Sequence, residues 1–281
     1  MGKDYQHIQV TPCVGALGAE VAGVDLADTL SDAVIAEIRQ CFNAHLLIVF
    51  RDQTLSPGQQ VRFAQRFGEL KAHPYIPGLD GHPEVMVVKK EPGDRHNFAG
   101  AWHTDTTYQE IPTLGSMLYA LEVPRARGDT LFCNLYAAYE SLSAPFRAFL
   151  DTLQAEHSFF GGSTLGRGQE NGYGAQVRDI DSEARAVHPL IRTHPETGRR
   201  ALYVNAMFTE SIVGLSPEES KTVLEYLYTH CARAEFVHRL RWAAGTLAFW
   251  DNRCTMHYPL DDYPGERRIM HRVTIAGDRP V

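Results

Sequence analysis

Much of this chain is written in short β-type runs cut off by turn signals, and that pattern leaves room for few architectures. From about residue 84 such runs occur at 84–88, 115–123, 130–133, 187–192, 200–205, 236–242, 246–250 and 268–275. The sequences His194-Pro195-Glu196-Thr197-Gly198 and Ala243-Ala244-Gly245 read as the loops of two hairpins. Helices are expected before this region. Ser31 can cap a run in which Val34, Ile35, Ile38, Cys41 and Phe42 recur at helical spacing, and Ser56-Pro57 opens another through Val61, Ala64 and Phe67. Between them, 46–50 reads as a buried strand. Two further helices interrupt the β pattern, at about 137–156 and after Ser216-Pro217-Glu218-Glu219, which has a capping-box form. The expected fold class is mainly β with flanking helices. No repeat, low-complexity tract or Pro/Gly/Ser linker divides the chain, so 1–281 reads as one domain.

Composition narrows the partners. The net charge is −7 and no Lys/Arg run offsets it locally, which argues against nucleic acid and anionic membranes. No stretch approaches the ~20 apolar residues of a membrane span. The start MGKDYQHIQV lacks the charged and apolar segments of a secretory signal. Five cysteines without a CxxC pair read as reduced thiols, and the expected location is cytoplasmic. Homo-oligomerisation is left open. The stretch 161–176 carries six glycines and little periodic apolarity, so it reads as a lid over a site or as a plain surface loop.

Of thirteen histidines, one stands in a pattern that points to chemistry. In Trp102-His103-Thr104-Asp105 the His and Asp are two apart, so an extended strand turns both side chains to one face. A third metal ligand is best supplied by His257, in the run that begins Trp250-Asp251-Asn252-Arg253. Two imidazoles and one carboxylate on one side of an ion make the facial set of non-haem Fe(II) oxygenases. Zinc accepts the same donors, so a zinc hydrolase and a non-catalytic cupin-like binding protein remain alternatives.

Arg268 lies eleven residues beyond His257, in the run 267–275, which alternates so that Arg268, Met270 and Arg272 share one strand face. Two guanidinium groups turned into a barrel need anions, because an unpaired buried charge costs several kcal/mol. Arginine's planar fork suits a carboxylate. The competing phase leaves that face in water and buries Arg267 and His271 instead.

Taken together, Trp102-His103-Thr104-Asp105, Gly128-Asp129-Thr130, Trp250-Asp251-Asn252-Arg253 with His257, and Arg267-Arg268-Ile269-Met270-His271-Arg272 resemble the Fe(II)/2-oxoglutarate-dependent dioxygenases related to taurine dioxygenase and 2,4-dichlorophenoxyacetate dioxygenase. The likeness runs from Val14-Gly15-Ala16-Leu17-Gly18-Ala19-Glu20 through Phe67-Gly68-Glu69-Leu70 to the C-terminal strand. It implies a double-stranded β-helix, that is, a jelly-roll, cupin-like core. It also implies that His103, Asp105 and His257 ligate Fe(II), that Arg268 and Thr130 hold the distal carboxylate of 2-oxoglutarate, and that O₂ is the second cosubstrate. Arg272 then serves the iron-proximal anion or, with His73, a small anionic organic substrate, and Phe208 is an aromatic wall. An intact Asp105 implies hydroxylation, since related halogenases carry Ala or Gly at that position. Ala99, Ile76 and Ser163 depart from the taurine pattern, so the expected substrate is a different sulfonate, an alkyl sulfate or an aryloxyalkanoate, with succinate and CO₂ released.

Overall fold

Among the residues described by the computed structural model, 5–73, 75–95, 99–159 and 183–281, the β-type runs pair into one large and three small sheets. The glycine-rich segment 161–176 expected as a lid, with Ser163 in it, lies outside these residues. In chain order the elements are β1 (Gln9–Pro12), β2 (Ala19–Ala22), α1 (Asp32–His45), β3 (Leu47–Phe50), α2 (Pro57–Gln65), β4 (Leu70–Lys71), β5 (Gly78–Leu79), β6 (His82–Lys90), β7 (Thr113–Glu122), β8 (Thr130–Asn134), α3 (Leu135–Glu140) and α4 (Ala144–Leu150). They continue as β9 (Gln154–Ser158), β10 (Arg185–Pro189), β11 (Ile191–Thr193), β12 (Arg200–Leu202), β13 (Thr209–Ile212), α5 (Pro217–Cys231), β14 (Val237–Leu240), β15 (Leu247–Asp251), β16 (Thr255–Pro259) and β17 (Arg268–Ala276). The large sheet has the order β1-β2-β3-β15-β7-β17-β6-β5, with β4 also on β17; β14-β8-β16, β10-β9-β13 and β11-β12 form the others.

A period of two decides where the cores lie. Along β7, β15 and β3 the residues Leu118, Ala120, Ala248, Trp250, Leu47 and Val49 pack into one apolar cluster with Phe132 of β8 and Met256 of β16. The intervening residues Met117, Tyr119, Leu247, Phe249, Ile48 and Phe50 pack on the other face against Ile38 and Phe42 of α1 and Phe63 of α2. The large sheet is thus covered by helices outside and by the β14-β8-β16 sheet inside, a jelly-roll arrangement with its interior between the sheets. No helix among the described residues is long and apolar enough to cross a membrane.

Several expectations are corrected. The helix expected over 137–156 is two short helices, α3 and α4. Ser143 starts the second, with a proline in its first turn, where the missing N–H removes no helical hydrogen bond. Residues at its expected end instead form β9, paired with β10 and β13. The turn Ala243-Ala244-Gly245 does not join a hairpin: β14 pairs with β8, whereas β15 pairs with β3 and β7. The loop crosses between sheets because Gly245 is tied to the large sheet, donating to Ala120 O and accepting from Gln53 N at 2.8 Å each. The other expected hairpin, β11-β12 across His194-Pro195-Glu196-Thr197-Gly198, does form.

The capping box of α5 is present: Ser216 Oγ accepts from Glu219 N at 3.3 Å, and Glu219 accepts from Ser216 N at 2.9 Å. Ser216→Ala should cost about 1 kcal/mol. The check is a lower denaturant midpoint at unchanged slope; an unchanged midpoint would show that tertiary packing alone holds the helix start.

Candidate active site

His257 sits in β16, opposite Phe132 of β8, and its backbone forms a single antiparallel bridge with His103. The two amides donate to each other's carbonyls, at 3.0 Å from His103 and 2.8 Å from His257. Asp105 is not on an extended strand as the spacing suggested. The chain leaves the bridge directly into a turn, and this brings the carboxylate back toward both rings. Asp105 Oδ1 lies 3.6 Å from His103 Nε2 and 3.6 Å from His257 Nε2. All three side chains are buried.

The protonation states suit ligation of a cation. His103 Nδ1 is 2.8 Å from Ala101 O, which places the ring proton there and leaves a lone pair on Nε2. Burial lowers both imidazole pKa values, so the rings are neutral. Burial pushes the Asp105 carboxyl upward most strongly, but the Arg272 guanidinium, by charge and hydrogen bond, together with the two imidazoles outweighs this and holds it ionised. Two neutral imidazoles and one carboxylate, with donor atoms within 4.8 Å of one another, fit a divalent transition-metal ion.

A second buried group, His194, Asp251 and Cys254, also clusters within that distance. Its capacity is engaged elsewhere. Asp251 accepts from Arg253 and from His194 Nε2, and His194 Nδ1 accepts from the amides of Glu196 and Thr197. This network braces the turn between β15 and β16 and thereby the approach to His257.

Alternation along β17 places Arg268, Met270 and Arg272 on the interior face, all buried. The competing phase is excluded, since Arg267 lies at the surface paired with Glu91 and Glu122. One cavity is lined by His103, His257, Thr130, Arg268, Arg272 and Trp250, among others. The two arginines are four residues apart, roughly 13 Å at about 3.3 Å per residue. Arg268 Nε is buried with no hydrogen-bond partner, its guanidinium standing 5.8 Å from the Trp242 ring centroid. Thr130 Oγ1 accepts from Trp242 Nε1 at 2.9 Å, so its own proton can be donated into the cavity. Tyr263, which sequence reading missed, hydrogen-bonds Arg268 and has Lys90 Nζ 4.5 Å from its ring centroid. Its ring packs over Gly128, where φ is +71° and an added Cβ would come within 3.1 Å of it.

Next to His103, Tyr75, Tyr108, Met207 and Phe208 form a separate apolar group, with Phe159 in ring contact. Phe208 stands edge-on to His103 at 6.3 Å between centroids, where a wall was expected. Neither tyrosine was anticipated, because isolated aromatics in loops carry no periodic signal. Asn205 fixes this wall: its Oδ1 accepts from Phe208 N and its Nδ2 donates to Thr107 Oγ1. His73 is partly buried and accepts from Tyr75 N at Nδ1. Burial, reinforced by the nearby Arg272 charge, lowers its pKa to about 4, so its ring is neutral with the proton on Nε2.

Comparison with known proteins gives a consistent picture. Residues 9–274 match the family described as taurine catabolism dioxygenase TauD, TfdA. An alpha-ketoglutarate-dependent sulfate ester dioxygenase of Pseudomonas putida is 37% identical, over 98% of this chain and 91% of that protein. An alkylsulfatase of Acinetobacter baylyi is 31% identical, over 97% and 86%. The crystal structure of a taurine dioxygenase from Burkholderia xenovorans superposes with a TM-score of 0.83 at 39% identity, covering 98% of this chain and 91% of that one.

Proposed function

Since the chain belongs to the TauD/TfdA dioxygenase family, we propose that it is an Fe(II)- and 2-oxoglutarate-dependent dioxygenase hydroxylating a small organic anion, with alkyl sulfates the first class to test. The observation that carries this reading is the pair of interior arginines sharing one cavity with the His-Asp-His cluster. A hydrolase needs no anchor for a dicarboxylate, and a binding protein needs no cluster of neutral imidazoles beside it.

His103, Asp105 and His257 would hold the ion. Once bound, iron and 2-oxoglutarate supply an oxidative decarboxylation in which O₂ gives one oxygen atom to succinate and one to a substrate C–H bond. The protein's own part is positioning. Arg268 takes the distal carboxylate in its guanidinium fork, with the Thr130 hydroxyl donating beside it. Arg272 supplies positive charge to the substrate anion, and neutral His73 gives it an Nε2–H hydrogen bond. Tyr75, Tyr108 and Phe208 exclude water from the apolar part of the substrate. Hydroxylation at the carbon bearing a sulfate ester leaves a hemiacetal-type product, whose collapse yields an aldehyde and inorganic sulfate.

The test is succinate release above the uncoupled background with an alkyl sulfate, an alkanesulfonate and an aryloxyalkanoate, each with and without O₂. Coupled, O₂-dependent release with one of them is expected. Consumption without O₂ would favour the hydrolase, and binding without consumption the binding protein. Arg272→Ala should weaken turnover of the good substrate by roughly 10- to 100-fold, as for loss of a charged hydrogen bond worth about 1.5–3 kcal/mol, and His73→Ala by less. A neutral amide of the substrate should lose affinity for the wild type and much less for Arg272→Ala. Equal losses would show that Arg272 does not read the substrate's charge.

A further inference from the structure

Asn252 and Ser116 have no role in the assignment above, yet both converge on one oxygen of Asp105. Ser116 Oγ donates to Oδ2 at 2.9 Å and Asn252 Nδ2 donates to Oδ2 at 3.0 Å. Arg272 Nη2 reaches the same oxygen at 2.5 Å and Ser116 Oγ at 3.1 Å. The other oxygen, Oδ1, is the one facing both histidines. Asn252 and Ser116 are themselves fully buried.

The orientation of the Asn252 amide is dictated by its neighbours. Its Oδ1 accepts from Trp250 Nε1 at 3.0 Å and from Asp105 N at 3.4 Å, while its Nδ2 also reaches Thr113 Oγ1 at 3.1 Å. A flipped amide would set its NH₂ against two donors and its oxygen against the carboxylate. The single proton of Ser116 is likewise committed, because Arg272 and Asn252 both donate to its oxygen.

From this geometry we propose that Ser116 and Asn252 are positioning residues that restrict Asp105 to one-oxygen ligation through Oδ1. The inference rests on the metal-binding reading above. A carboxylate free to turn would lose the preset aim of Oδ1 at the imidazoles, and one that swung to two-oxygen binding would take a coordination place that the cosubstrates would need. Arg272 alone is a poor guard, since its charge also serves an incoming anion. The two neutral donors hold Oδ2 whichever partner the guanidinium takes.

The experiment is titration of the metal-free protein with Mn(II), followed by 2-oxoglutarate, read as binding affinity rather than turnover. Ser116→Ala and Asn252→Ala should each weaken Mn(II) binding by about 10- to 100-fold, the range seen when hydrogen bonds to a ligand are removed. They should also weaken 2-oxoglutarate binding to the Mn(II) protein. Ser116→Thr, which keeps the hydroxyl, should retain near-wild-type affinity for both Mn(II) and 2-oxoglutarate. Wild-type affinity in both single variants, or a loss in Ser116→Ala that Ser116→Thr shares, overturns the proposal. A wild-type protein that binds no Mn(II) overturns the metal reading itself. Should Asn252→Ala fail to fold, as a thermal scan would reveal, the Ser116 series decides.

Discussion

Turnover should vanish when His103, Asp105 or His257 is replaced by alanine, and the three variants should separate by their stability without metal. Each removes one of the three proposed ligands, so loss of Fe(II) binding and of activity is expected of all. The difference lies in what remains buried. A removed histidine takes away a neutral ring. Removing Asp105 strips Arg272 of the carboxylate 2.5 Å away, and breaking a buried pair by deleting one partner costs about 3–5 kcal/mol. Asp105→Ala should therefore melt well below His103→Ala when both are metal-free. A variant keeping near-wild-type activity and metal affinity would overturn the ligand assignment, and equal melting of all three would show that Arg272 finds another anion.

The second large effect is expected at the far end of the cavity. Arg268→Ala should raise the 2-oxoglutarate concentration needed for half-maximal rate by about 30- to several-thousand-fold, since truncating one partner of a buried charged pair costs about 2–5 kcal/mol. Thr130→Val should cost about 1 kcal/mol, a single hydroxyl donor. Metal affinity should stay near wild type in both, because neither side chain touches the His-Asp-His cluster. If the cosubstrate requirement is unmoved by either change, the anchor lies elsewhere in the cavity and Arg272 is the first residue to examine.

Legibility followed the strength of local periodicity. The two candidate phases of β17 could be read from the chain because Arg268 and Arg272 share one parity and Arg267 and His271 the other, and α5 because its cap has a distinctive spelling. The helix expected at 137–156 was misread because apolar spacing continues across Ser143, where the chain restarts a helix, and on into a strand whose partners are distant in sequence. β16 carries His257 but reads as Thr-Met-His-Tyr-Pro, too mixed to announce a strand. Ser116 was overlooked for a related reason: a lone serine in an apolar run looks like a tolerated exception. Its importance depends on Asn252 and Asp105, brought to it by the pairing of β7 with β15 and by the His103–His257 bridge.

The pleat of β17 makes the anion pocket a matter of parity. Both arginines face inward because they occupy even positions of one strand, and the strand is pinned on either side by β6 and β7. A one-residue slip in the register of this strand would turn Arg268, Met270 and Arg272 outward and bring Ile269 and His271 inward in their place, disrupting both anion sites at once. Changes of two residues would shift the pocket along its axis and keep its chemistry. Over generations such a scaffold can vary the distance between its two anion sites in coarse steps, while single-residue length changes here are closed to it.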